Sequence, residues 1–220
     1  MNVSHVIFDL DGTLIDSAPS ILACMEQVIA DAGLAPALPL QVSLIGPPLK
    51  TTLATITGLS DDDLLQALVE AFKERYDSEG LYSTRPYPEI PETLRQLRAR
   101  GMKFHLTTNK RSRPTLAILE MLGWRELFLS VTCQDSVTPG YAHKAAMLEH
   151  QLPGYGIDPS KAVYIGDTRE DGSAAAANGL HFIAADWGYG DFSDWNSTFS
   201  WSRVANPAAL INLLHQQARA

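Results

Sequence analysis

The feature that most constrains this chain is a short apolar run that ends in two carboxylates. The stretch from His5 to Leu10 carries Val6, Ile7, Phe8 and Leu10, residues that favour a buried strand, and Gly12 breaks it. Asp9 and Asp11 therefore stand at the C-terminal end of that strand. Residues two apart on an extended strand share a side, so both acids would face one pocket unless the turn at Gly12 rotates Asp11. Like charges this close repel, and one pKa rises unless a cation neutralises the pair. An isolated Asp-x-Asp also fits a turn cap beside a solvated acid, so its meaning depends on the rest of the chain.

Residues 17–85 read as helical throughout. Asp16 or Ser17 caps a first helix, with Pro19 in its first turn, and Ile21, Leu22, Met25, Val28 and Ile29 follow at helical spacing until Gly33. After a Pro-rich link and a turn at 45–49 comes a short helix over 49–57. Ser60, with Asp61 to Asp63 in the first turn, opens a longer helix carrying Leu64, Leu65, Leu68, Val69 and Phe72. Acids suit the positive end of a helix, so this run is a solvated N-terminus and not a metal site.

From Pro86 the rhythm changes. Strands over 102–108, 128–133, 162–167 and 181–186 alternate with helices over 92–100, 111–122, 143–151, 170–178 and 207–217. Such alternation implies an α/β fold, a Rossmann-like parallel sheet covered on both faces, with ligands beyond the C-terminal strand ends. The domain reading is a core of residues 1–16 and 86–220 with an all-helical insert over 17–85. The aromatic stretch from Trp187 to Trp201 has no period and reads as a loop held by its rings.

Composition narrows the function. A net charge of −8 argues against a nucleic-acid binder, which needs a basic face, but leaves room for a phosphorylated small molecule wherever a metal or lysines reverse the local field. Cys24 and Cys133 lack metal-ligand spacing and read as reduced thiols. No signal pattern and no apolar run of about 18 residues appears, so a soluble cytoplasmic protein with no membrane partner is expected. Oligomeric state leaves no mark.

In a parallel sheet the strand ends converge on one rim. They bring Asp9 and Asp11, then Thr108, Asn109 and Lys110, then Asp167 with Asp171 four residues on, while Lys144 opens the helix after the 128–133 strand. Singly, Thr108 suits a helix cap, Lys144 a surface position and Gly166-Asp167 an ordinary capped turn. Together they form an acid-rich, hydroxyl- and lysine-bearing constellation. Oxygen ligands from Asp9 and Asp167, with a backbone carbonyl and waters, suit a hard octahedral ion such as Mg2+.

Asp9-Leu10-Asp11-Gly12-Thr13-Leu14 resembles the first motif of the haloacid dehalogenase superfamily of phosphohydrolases. Thr108, Lys144, and Asp167 with Asp171 match its other three motifs in order, and the helical insert looks like its α-helical cap. The segments 86–91, 108–110 and 187–190 resemble the phosphoglycolate phosphatase-like branch. One departure is that many relatives set the motif lysine in Lys-Pro-x-Pro, where this chain has Tyr141-Ala142-His143-Lys144-Ala145.

The resemblance implies a Mg2+-dependent phosphatase acting on a small phosphorylated metabolite, phosphoglycolate favoured. Asp9 is then the nucleophile and Asp11 the acid and base. Thr108 and Lys144 are catalytic and, with Asn109, bind substrate. Mg2+ sits on Asp9, the Asp11 backbone carbonyl and Asp167, and Asp171 orients the metal's waters. Lys110 suits either a substrate contact or a surface position at the start of the helix. Asp11 favours esters, since superfamily dehalogenases and phosphonate-cleaving enzymes lack a second Asp there, but a sugar phosphomutase would keep it. Outside the enzymes, a phosphoacceptor signalling module also groups acids, a Thr and a Lys around Mg2+, yet has no large insert after its first strand. A dinucleotide-binding reading fails, because Asp11-Gly12-Thr13 stands where the Gly-rich turn belongs. Gly46, Lys50 and Arg85 are the insert's candidates for substrate specificity.

Overall fold

A computed structural model describes residues 3–192 and 201–217. The chain divides into two compact units, one made of the chain up to Asp16 and from Pro86 onward, the other of Ser17–Arg85.

The first unit is built on β1 (His5–Phe8). The chain then leaves through β2 (Ile15–Asp16) into the helical unit of α1 (Ala18–Asp31), α2 (Leu49–Thr57) and α3 (Asp62–Ser78), and returns at β3 (Arg85–Pro86). The Tyr87 N–H donates to the Leu14 carbonyl at 3.1 Å, so exit and return lie together. Then follow α4 (Ile90–Ala99), β4 (Lys103–Thr108), α5 (Ser112–Met121), β5 (Phe128–Cys133), α6 (Lys144–Gly154), β6 (Ala162–Gly166), α7 (Arg169–Ala177), β7 (His181–Ala185), β8 (Ser202–Val204) and α8 (Pro207–Gln217).

The sheet has six parallel strands in the order β5-β4-β1-β6-β7-β8. β1 lies between β4 and β6, with Phe8 opposite Leu106 on one side and Ile165 on the other. Val6, Ile7 and Phe8 are all buried although neighbours on a strand face opposite ways, so both faces are covered. Ile7, Tyr164 and Phe182 share a core with Leu148 and Leu152 of α6 and Ala174 and Ala175 of α7. The alternation at the sequence level missed β8, a three-residue strand too short to show a period. Of the aromatic stretch, 193–200 lies outside the described residues.

In the helical unit, Pro19 stands in the first turn of α1, whose inner face is Ile21, Cys24, Met25, Val28 and Ile29. The cap of α3 is Asp61 and not Ser60, its side chain accepting from the Leu64 N–H at 3.0 Å. The carboxylate has the better charge for the helix end. Asp31 of α1 pairs with Arg75 of α3 at 2.7 Å. Of the specificity candidates, Lys50 pairs with Asp62 at 2.7 Å, and Arg85 donates to the carbonyls of Tyr82 and Thr84 at 2.8 and 2.9 Å. Gly46 lies in an exposed turn. No helix among the described residues is long and apolar enough to cross a membrane.

Candidate active site

The C-terminal rim of the sheet gathers the acids. Asp9 continues the β1 ladder, its N–H donating to the Ile165 carbonyl at 2.9 Å, and its carboxylate is buried. Immediately afterwards the chain turns. The Leu10 carbonyl accepts from Leu14 and Ile15, and Gly12 takes a left-handed φ of 82° that favours glycine. The turn rotates Asp11 away from its strand neighbour. Its carboxylate is 18% exposed and pairs with Lys110, whose Nζ lies 3.0 and 3.3 Å from the two oxygens.

The side chains that do converge are Asp9, Asp167 and Asp171, all buried, with one oxygen from each lying within 4.8 Å of the others. Lys144 is placed among them. It is the first residue of α6, whose cap is His143, the imidazole Nδ1 accepting from the Ala146 N–H at 3.1 Å. That capping role accounts locally for the His-Lys in place of Lys-Pro. The Lys144 side chain is 4% exposed and donates to Asp171 at 2.6 Å and to Asp9 at 3.0 Å.

Asp171 is held on both oxygens. Oδ1 accepts from Lys144 and from the Tyr164 hydroxyl at 3.1 Å, and Oδ2 accepts from the Thr168 N–H and hydroxyl at 2.9 and 2.6 Å. Thr168 is the cap of α7 and forms a reciprocal capping box with Asp171. The turn is thus capped one residue beyond Asp167, which leaves the Asp167 carboxylate for the site. Its Oδ1 accepts from the Thr13 hydroxyl at 3.1 Å and its Oδ2 from the Tyr189 N–H at 2.8 Å. The 187–190 loop reaches Asp167 because Gly188 has no side chain: a Cβ there would overlap Asp167 and the Gly12 carbonyl. Trp187 fastens the same loop, its indole N–H donating to the Thr13 carbonyl at 3.0 Å.

The electrostatics follow from burial. Desolvation raises the Asp9 pKa well above the usual carboxylate range, Lys144 offsets this only in part, and Asp171, Asp167 and Asp11 add to it. Desolvation, then Asp171, pushes Asp167 up to about 7. Burial works to discharge Lys144, but Asp171 and Asp9 outweigh it and hold the pKa well above normal. One ammonium among three buried carboxylates leaves uncompensated negative charge in an all-oxygen donor set. A hard divalent cation fits that site.

Thr108 ends β4 and is buried, its hydroxyl oxygen accepting from the Lys110 N–H at 3.2 Å. Asn109, expected to bind substrate, donates to Glu170 at 3.1 Å. Lys110 is not the surface residue that one of its two readings made it, since its side chain is 8% exposed. Sequence reasoning did not reach Thr13, Tyr164 or Tyr189. Thr13 stands in the Asp-Gly-Thr run, a signal that was present, but Tyr189 acts through its backbone and carries none.

A model of the family described as haloacid dehalogenase-like hydrolase matches residues 6–185. The chain belongs to that family. It is 31% identical over 210 residues to a phosphoglycolate phosphatase of Aquifex aeolicus, covering 95% of each chain. It is also 31% identical over 191 residues to an N-acetylmuramic acid 6-phosphate phosphatase of Pseudomonas aeruginosa, covering 86% of this chain and 84% of that one. A solved structure of the Mycobacterium tuberculosis protein tyrosine kinase A (PtkA) superposes with a TM-score of 0.82 at 29% identity, over 97% of this chain and 98% of that one. The family member described here is an enzyme, a phosphatase.

Proposed function

We propose that this hydrolase is a Mg2+-dependent phosphatase of small phosphorylated metabolites that works through an aspartyl phosphate, with 2-phosphoglycolate the favoured substrate. The observation that carries the reading is the meeting of Asp9, Asp167 and Asp171 around the ammonium of Lys144. The substrate preference is supported by the phosphoglycolate phosphatases among its relatives.

The Asp9 carboxylate attacks phosphorus in line. A bond forms between an Asp9 oxygen and phosphorus while the bond from phosphorus to the ester oxygen breaks. Asp11 gives its proton to the departing alkoxide, then takes a proton from the water that attacks the aspartyl phosphate. Phosphate leaves and Asp9 is restored. Thr108 and Lys144 hold the oxygens that are not exchanged. Lys144 also lowers the repulsion between an anionic nucleophile and an anionic ester.

Asp9, Asp167 and the Asp11 backbone carbonyl would hold Mg2+, which when bound neutralises charge on the phosphoryl oxygens. Asp171 contributes differently. With four donors on its two oxygens it is a fixed anion that docks Lys144 and orients what binds beside it.

Hydrolysis of p-nitrophenyl phosphate and of 2-phosphoglycolate, with Mg2+ and after chelation, tests the reading. Turnover that requires the metal and vanishes in Asp9→Asn is expected; turnover untouched by Asp9→Asn refutes it. The kinase-named relative favours a second reading, phosphoryl transfer to a protein hydroxyl. Label that passes from ATP to protein tyrosine in place of release as phosphate would select it.

A further inference from the structure

We infer that Lys110 selects substrates by their leaving group, favouring phosphate esters whose alcohol carries an anionic group, such as a carboxylate, beside the ester oxygen. This rests on the phosphatase reading above.

Lysine is almost never fully buried unless paired. The Lys110 side chain is 8% exposed, and its ammonium bridges both oxygens of Asp11. The local fold puts it there. Its N–H is tied back to the Thr108 hydroxyl, and α5 starts only at Ser112, so Lys110 belongs to the rim turn and not to a helix surface. Its neighbour Asn109 is engaged with Glu170.

A group that touches Asp11 is next to the leaving alcohol. To exchange a proton with the ester oxygen, Asp11 must come within about 3 Å of it. The ammonium of Lys110 is only 3.0 Å beyond Asp11. An anionic group one carbon from the ester oxygen therefore enters ion-pair range of Lys110. A neutral leaving group offers nothing to draw that ammonium from Asp11. Screening by salt is weak for a pair this buried, so the difference is felt strongly. Lysine suits the exchange, being a compact charge on a flexible stem. Lys144 is not available for it, fixed as it is between Asp171 and Asp9.

The rival account is that Lys110 only clamps Asp11, in which case all esters depend on it equally. The test compares kcat/KM for 2-phosphoglycolate and for 2-hydroxyethyl phosphate, the same skeleton with an alcohol in place of the carboxylate, at saturating Mg2+. Wild type is expected to prefer the carboxylate by about 10²-fold. The ratio should collapse towards one in Lys110→Met and return in part in Lys110→Arg. A ratio that Lys110→Met leaves unchanged overturns the inference in favour of the clamp. A wild type that hydrolyses p-nitrophenyl phosphate but shows no preference overturns it alone. A wild type that hydrolyses no phosphate ester overturns the phosphatase reading and this inference with it.

Discussion

Beneath the acidic rim the sheet carries a second polar assembly, and its response to acid is calculable. His105 on β4 is 1% exposed, with Nδ1 2.7 Å from the Ser130 hydroxyl and Nε2 3.0 Å from Nδ1 of His5 on β1. Gln151 of α6 donates to the same Ser130 oxygen at 2.9 Å. Burial, with His5 and Lys103 nearby, pushes the His105 pKa down to about 4 from the usual 6.5. The unfolded chain therefore binds a proton that the folded one refuses, and stability rises with pH. The contribution is complete above pH 6.5 and is lost as pH falls towards 4. Between pH 7 and pH 5 the loss is roughly 2 kcal/mol, or about 4–8 °C in Tm for a protein of this size. Asp9 and Asp167 act the other way, because carboxyls with raised pKa values favour the folded state more as pH falls. The informative quantity is therefore the difference between wild type and His105→Gln, each melted at pH 7, 6 and 5 in one metal-free buffer series. The wild type should lose about 4–8 °C more than the variant over that interval. Parallel Tm curves would show that His105 is not held neutral and would refute the argument.

Three further outcomes follow from the site. Mg2+ at about 100 times its dissociation constant should stabilise the folded protein by about 3 kcal/mol, and Asp167→Asn should remove most of that shift in a melting assay. Gly188→Ala drives a methyl into Asp167; the metal-induced stabilisation should shrink in it, whereas a control Gly154→Ala, where a Cβ meets nothing, should retain it. Tyr164→Phe removes one donor from Asp171 and should lower kcat with little change in KM. In an Asp171→Asn background the same change should cost nothing further, and additive losses would show that Tyr164 does not act through Asp171.

How much of this was legible beforehand depends on what kind of group does the work. Asp9 and Asp167 could be read because each follows a strand whose apolar run announces it, and the parallel sheet then brings the strand ends to one rim. Lys144 could be read only by its place in the order of motifs, since nothing in a lysine's own letter separates a buried ammonium from a solvated one. Lys110 was divided between two readings for the same reason. What decided it was a turn pinned by the Thr108 hydroxyl, a contact without a period or a composition. Tyr189 lay beyond reach altogether, because the group that meets Asp167 is an amide that every residue but proline carries.

The exchange of Asp171 for Asp11 in the buried cluster shows the physical reason most plainly. The spacing of Asp9 and Asp11 places them on one side only while the strand stays extended, but β1 ends at Phe8 and the chain passes into a turn closed on the Leu10 carbonyl, in which Gly12 takes a φ of 82°. The turn sends one carboxylate to the rim, to Lys110, and leaves its backbone behind beside Asp9. The buried negative charge thus forgone is supplied from α7, where a capping box fixes Asp171 by the same residues that start the helix. Two acids two residues apart in sequence are in this way given different surroundings, one buried beside Lys144 and two further carboxylates, the other at the rim beside Lys110. The nucleophile and the proton carrier of the proposed mechanism thus stand in different surroundings, and the turn after β1 is what separates them.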